Sequence, residues 1–246
     1  MIKKIQHKKT IIWYDDIMIK NPSHSLFSKE YWDSYEKIVG RTIGRGTTWF
    51  IKLSKTQAVL RHYNRGGLVG KLIKDLYFFS SWEKTRVYQE LQLLKKLTNL
   101  GLNVPRPFAA RVIKRGFFLY QADLLCERIV DAKNLGQILK HKPITENVYQ
   151  NIGAEIAKLH NEQVNHSDLN IYNILLDDKG EIWLIDFDKC NIKSKNKNNN
   201  WKKNNLSRLK RSFIKETNKS NIYWRKEDFL SIMKGYNNTY NCNKFF

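Results

Sequence analysis

The sequence predicts an α+β fold in two lobes: a β-rich N-terminal lobe with one helix (1–128) and a mostly helical C-terminal lobe (129–246). Three observations carry that prediction. Runs of β-branched and aromatic residues, separated by turn chemistry, fill much of the first half. One apolar stripe at helical spacing interrupts them. In the second half helical periodicity takes over, broken by a single tight hairpin.

In chain order, "TTWFIKLSKTQAVLRHY" holds two strand-like runs, 47–53 and 58–63, with 54–57 as the turn of a hairpin. A loop bearing Gly44 and Gly46 precedes the first run. Val87, Leu91, Leu94 and Leu97 recur at helical spacing, and Gly101 supplies a stop. "VPRPFAARVIKRGFFLYQADLL" gives two more strands with Arg115-Gly116 at the bend. A short connector at 126–133 follows. Thr145 is the expected N-cap of a helix whose inner face is Val148, Ile152, Ile156 and Leu159. The Lys- and Asn-rich stretch 191–205 reads as a polar loop, and helical signals resume at 206–214 and 226–236.

The bulk properties narrow the class. Hydrophobic content of 41% supports a real core and excludes wholesale disorder. A formal charge of +21 favours an anionic partner: nucleic acid, a phospholipid surface or a phosphorylated substrate. Lys/Asn-rich coding bias would produce part of that excess without any binding role. Cys126, Cys190 and Cys242 are odd in number and far apart, which excludes a disulfide framework and fits a reducing cytosol. The apolar run near the start is too short for a signal peptide, and no later run reaches the roughly 18 residues of a spanning helix. The expectation is a cytoplasmic protein, soluble or bound at a membrane surface.

The chemistry concentrates in "HSDLNIYNILLDDKGEIWLIDFD", 166–188. Asp178-Lys179-Gly180 is turn chemistry between short strands at 174–176 and 181–185, so the open end of that hairpin brings Asn173 toward Asp186. Asp168 lies on the loop feeding the same end. Asp and Asn crowd turns generally, but a helix before the loop and a hairpin returning a second aspartate are not explained by that habit. Two carboxylates and a carboxamide suit phosphoryl transfer, with oxygen ligands for Mg2+ and a separate carboxylate for the acceptor's proton.

These residues carry a resemblance. "HSDLNIYNILL" resembles the catalytic loop, and "LIDFD" the metal-binding segment, of the protein-kinase-like superfamily. The resemblance implies that Asp168 is the catalytic base, that Asn173 and Asp186 hold magnesium, and that His166 is structural. Gly44 and Gly46 would form a short glycine loop over the ATP phosphates. Arg61 stands on the strand where the superfamily has a phosphate-binding lysine, and Glu90 is its candidate partner. Arg61 as a solvated edge-strand residue and Glu90 as an exposed helix residue remain open. Asp188 replaces a usual glycine and is either an extra ligand or a turn carboxylate. The segment "GGLVGKL" is not a P-loop, because Arg65 and Leu72 occupy positions that need Gly and Ser or Thr. The absence of an APE-like segment argues for a small-molecule or glycolipid acceptor.

Several stretches together, "GRGTTWFI", "VLRHYNRGGLVGKL", "GLNVPRPFAARV" and "HSDLNIYNILLD...LIDFDKC", are similar to the bacterial 3-deoxy-D-manno-octulosonic acid (Kdo) kinase family, over about 40–190. Measured against that family, Arg61 and Asp188 are typical. The resemblance implies ATP- and Mg2+-dependent phosphorylation of a Kdo hydroxyl on Kdo-lipid A, at the cytoplasmic face of the inner membrane. It implies neither a nucleic-acid partner nor an obligate protein partner. A basic patch of Lys202, Lys203, Arg208, Lys210 and Arg211 near Trp201 and Phe213 is the candidate lipid contact, at about 1 kcal/mol per cation. Two alternatives stand beside it. Another small-molecule or RIO-like atypical kinase shares the same loop. A non-catalytic nucleic-acid-binding protein explains the charge but not the Asp168, Asn173 and Asp186 arrangement.

Overall fold

The structure is a computed structural model describing residues 1–44, 46–66, 74–194 and 199–240. Arg45, 67–73 of the basic glycine-bearing segment, and Cys242 lie outside the described residues. The chain forms two compact units, Met1–Lys95 with Pro105–Ile129, and Lys96–Val104 with Val130–Phe246. The stretch 96–104, expected with the first lobe, counts with the second. The reason is local: the backbone N–H of Leu184 donates to the Asn103 carbonyl at 3.0 Å, and the Asn103 amide donates to Glu181 at 3.2 Å.

Unit 1 is built on an antiparallel sheet. Its strands are β1 (Ile2–His7), β2 (Thr10–Asp15), β3 (Ile38–Ile43), β4 (Thr47–Lys52), β5 (Gln57–His62), β6 (Tyr77–Phe78), β7 (Pro107–Arg115) and β8 (Leu119–Glu127). They lie in the order β1-β2-β7-β8-β5-β4-β3, with β6 also beside β8. The β4–β5 hairpin pairs Ile51 with Ala58, both fully buried, and places Arg61 opposite Thr48. One face of the sheet packs on a 3₁₀ turn, His24–Phe27, and helix α1 (Lys29–Ser34). The core there joins Leu26, Phe27 and Trp32 to Ile12, Ile51, Leu60 and Phe108. Alternation along β5 therefore turns Arg61 away from the cluster that holds Leu60.

Helix α2 (Arg86–Asn99) buries Val87, Leu91, Leu94 and Leu97, the stripe expected from its periodicity. The N-terminal hairpin β1–β2 is not visible in the sequence pattern. Its turn holds Lys8 at φ 50, where glycine or asparagine would have signalled it, and β1 is mostly exposed.

Unit 2 contains β9 (Lys133–Asn134), α3 (Leu135–Leu139), α4 (Glu146–Asn161), β10 (Val164–Asn165), β11 (Ile174–Leu176), β12 (Ile182–Leu184), β13 (Asn191–Ile192), α5 (Asn200–Ser220) and α6 (Asp228–Thr239). Thr145 caps α4 by accepting from the Val148 N–H at 3.4 Å. Helices α4 and α6 cross at reciprocal glycines. A Cβ on Gly153 would meet the Ile232 carbonyl oxygen at 1.9 Å, and one on Gly235 would meet the Gln150 oxygen at 1.9 Å.

The expected loop over 191–205 is corrected: α5 begins at Asn200. Its polar text hides a buried stripe of Trp201, Asn205, Leu206, Leu209, Phe213 and Glu216. Two polar members of the buried set have partners inside, Lys202 on the Tyr240 hydroxyl at 2.8 Å and Asn205 on His160 at 3.2 Å. Among the described residues no helix is long and apolar enough to cross a membrane.

Candidate active site

The site in unit 2 begins with the turn that closes β11 to β12. Asp177, one residue before the predicted turn triplet, organises it. Its Oδ1 accepts from the Lys179 and Glu181 N–H groups at 3.0 and 2.8 Å, and its Oδ2 accepts from the Trp183 indole at 2.9 Å. Gly180 adopts φ +84, which a side chain would resist. Register Ile174↔Leu184 follows, and at the open end the Ile185 N–H donates to the Asn173 carbonyl at 3.0 Å. Asn173 thus sits beside the residue preceding Asp186.

The loop before β11 is tied down by its own polar groups. The Asn173 amide nitrogen donates to the Asp168 carbonyl at 2.9 Å, as does that of Asn170. The Asn170 Oδ1 accepts from the Tyr172 N–H at 2.9 Å, so Asn170 is a turn former. Tyr172 packs its ring where a Cβ on Gly136 would fall. Burial, then a hydrogen bond to Glu216, push its phenol up to about 12.

His166 is fully buried and holds the two halves of the site together. Its Nε2–H donates to the Ile185 carbonyl at 3.0 Å, and its Nδ1 accepts from the Asp168 N–H at 3.3 Å. That pattern describes a neutral ring. Burial, the largest cause, lowers its proton affinity in agreement. The ring also meets the buried Phe187 edge-on at 5.0 Å. Asp186 itself takes φ 63, an unusual left-handed conformation for a residue with a side chain. Ser167 Oγ donates to the Asp188 backbone carbonyl at 2.9 Å, which fastens the metal-type segment to the catalytic-type loop.

A second layer lies on α5. Asn205 Oδ1 accepts from the His166 N–H at 3.0 Å, and its amide donates to Asn165 at 2.9 Å. Arg208 Nη1 reaches Asp168 Oδ1 at 3.3 Å, with both side chains about half exposed. These contacts correct the expected lipid patch. Arg208 faces Asp168, Lys202 and Trp201 are buried, and Phe213 stacks on Trp224 at 5.0 Å. Lys203, Lys210 and Arg211 stay exposed, as does Arg208 beside Asp168.

Oxygen donors from Asn173 and Asp186 match the ligands magnesium prefers. Among the described residues no group of three or more His, Cys, Asp and Glu side chains could hold a metal. A cation there would therefore need two protein ligands completed by phosphate and water, the usual arrangement for Mg2+.

In unit 1, Arg61 Nη2 donates to both oxygens of Glu90, at 2.6 and 2.7 Å. Glu90 is 3% exposed and Arg61 27%, so neither is the solvated surface residue left open above. The Tyr63 hydroxyl also donates to Glu90, and the guanidinium lies 4.9 Å from the Tyr63 ring centroid. Tyr63 is the residue that sequence reasoning missed, although its shared face with Arg61 was the available signal. Gly44 and Gly46 lie in the β3–β4 turn, bonded Gly44 N–H to Gly46 carbonyl at 3.0 Å. A Cβ on Gly46 would fall 2.1 Å from the Asn64 amide nitrogen, so the Asn64 side chain would have to move, whereas Gly44 has open space.

The sheet-bearing unit with its Arg–Glu pair, and the unit holding the Asp168, Asn173 and Asp186 loop, define a protein-kinase-like phosphotransferase. A solved structure, "WaaP in complex with acyl carrier protein", shares the fold with TM-score 0.56 over 84% of this chain and 82% of that one, at 14% identity. The profile of the lipopolysaccharide kinase (Kdo/WaaP) family matches residues 29–236, and the chain belongs to that family. It is 55% identical to a 3-deoxy-D-manno-octulosonic acid kinase of Vibrio parahaemolyticus, over 94% of this chain and 96% of that protein. It is 50% identical to one from Vibrio vulnificus (96% and 98%) and 41% identical to one from Mannheimia succiniciproducens (96% and 99%).

Proposed function

We propose that this kinase transfers the terminal phosphate of ATP to a Kdo hydroxyl on Kdo-lipid A, at the cytoplasmic face of the inner membrane. The chemistry rests on one observation, the loop in which Asn173 ties to Asp168 while the hairpin returns Asp186 to the same end. The acceptor is supported by the near-full-length similarity to named Kdo kinases.

In this reading Asp168 accepts or orients the proton of the acceptor hydroxyl, with Arg208 beside it. Asn173 and Asp186 would hold Mg2+, which would neutralise phosphate charge when bound. Arg61, oriented by Glu90 and Tyr63, contacts the α- and β-phosphates, and the Gly44–Gly46 turn covers them. Arginine's fork suits a phosphate as well as a carboxylate, so the Glu90 pair and phosphate contact are compatible.

The test is phosphate transfer from ATP by purified protein to a panel of Kdo-lipid A, an aminoglycoside and a peptide. Transfer to Kdo-lipid A with metal dependence, lost by at least about a hundredfold in Asp168→Asn without unfolding, is expected. Transfer only to another acceptor overturns the substrate. Wild-type turnover in Asp168→Asn overturns the mechanism.

A further inference from the structure

We propose that the end of the unit 1 sheet carrying the β1–β2 and β7–β8 turns is a docking surface for an anionic phospholipid bilayer. Pairing of Thr10 with Ile113 sets these two turns side by side, and the Lys114 N–H donates to the Lys9 carbonyl at 2.7 Å. β6 joins the same end, with Phe78 paired to Leu119 and the Phe79 N–H donating to the Phe118 carbonyl at 2.8 Å. Three phenylalanines project there with no core to fill: Phe117 is 87% exposed, Phe78 80% and Phe118 69%. Exposed single apolar residues are ordinary, but three large rings on adjoining turns call for an occupant.

Charge indicates which occupant. The segments 7–10, 77–84 and 114–120 contain Lys8, Lys9, Lys84, Lys114 and Arg115 against one carboxylate, Glu83. Lys114 lies 4.3 Å from the Phe79 ring centroid, so cation and aromatic surface are interleaved. Rings that enter the acyl boundary beside cations that meet phosphate match a bilayer interface.

Area argues the same way. At those exposures and roughly 200 Å² per residue, the three phenylalanines offer about 470 Å² together, less than the roughly 800 Å² per partner of a stable protein interface. A bilayer has no such minimum. The surface complements the proposed reaction, since it would hold the enzyme on the membrane that carries its acceptor, and it rests on that reading only for its purpose.

The experiment is co-sedimentation of the full chain with phosphatidylcholine vesicles, with and without phosphatidylglycerol. Wild-type protein should pellet with the anionic vesicles and be released by salt. Phe117→Ser with Phe118→Ser should weaken binding about tenfold or more, and Lys8→Glu with Lys9→Glu should weaken it on anionic vesicles. Circular dichroism should show both variants folded, and both should phosphorylate detergent-dispersed Kdo-lipid A like wild type. Undiminished vesicle binding in both variants overturns the surface, as does wild-type binding that requires an added acidic protein. Normal vesicle behaviour with no phosphorylation of dispersed substrate overturns the reaction and leaves the surface standing.

Discussion

Replacing Arg61 by Met tests whether the Arg61–Glu90 pair is a buried electrostatic unit. The substitution strands Glu90, which is 3% exposed, with the Tyr63 hydroxyl still donating to it. Breaking a buried pair from one side costs about 3–5 kcal/mol. Arg61 is 27% exposed, and Tyr63 stays in place, so the cost should fall at about 2–3 kcal/mol. For a chain of this length that lowers Tm by roughly 4–12 °C. Adding Glu90→Gln removes the stranded charge, and the double variant should return to within about 1 kcal/mol of wild type. ATP binding should not return with it, because the phosphate contact proposed for Arg61 is still missing. Thermal and urea denaturation of the full chain, followed by circular dichroism, give the stabilities, and calorimetric titration gives ATP affinity. A single variant within about 0.5 kcal/mol of wild type, or a double variant less stable than Arg61→Met, refutes the reasoning.

Three further outcomes follow from the packing. Gly153→Ala should cost at least about 2–3 kcal/mol in urea denaturation, because its Cβ meets backbone and the α4–α6 crossing must open. His160 is buried, and burial foremost lowers its pKa to about 4, with Lys202 and His166 adding to it against the Asn205 hydrogen bond. The unfolded ring takes its proton nearer pH 6.5, so this contribution is complete above about pH 6.5 and is lost as pH falls toward 4. By about pH 5 the loss is about 2 kcal/mol, a slope that His160→Gln should reduce in urea midpoints. Arg208→Gln should leave stability nearly unchanged, since an exposed pair contributes at most about 1 kcal/mol, while turnover on Kdo-lipid A falls; equal turnover would remove Arg208 from the site.

What the sequence by itself determined is local. A turn triplet with glycine between two short apolar runs dictates the β11–β12 hairpin, and hairpin geometry alone returns Asp186 to Asn173. The α2 stripe and the Thr145 cap are likewise properties of neighbours a few residues apart. Period-two alternation along 58–63 places Arg61 and Tyr63 on one face. The polar helix α5 was hidden because its composition is that of a loop. Lys202 and Asn205 lie inside only because Tyr240 and His160, distant in the chain, satisfy their polar groups. Arg208 meets Asp168 across 40 residues, and Glu90 meets Arg61 across 29. Such pairs depend on which faces of separate elements come together, and burial then makes them consequential by removing the water that would otherwise satisfy each partner alone.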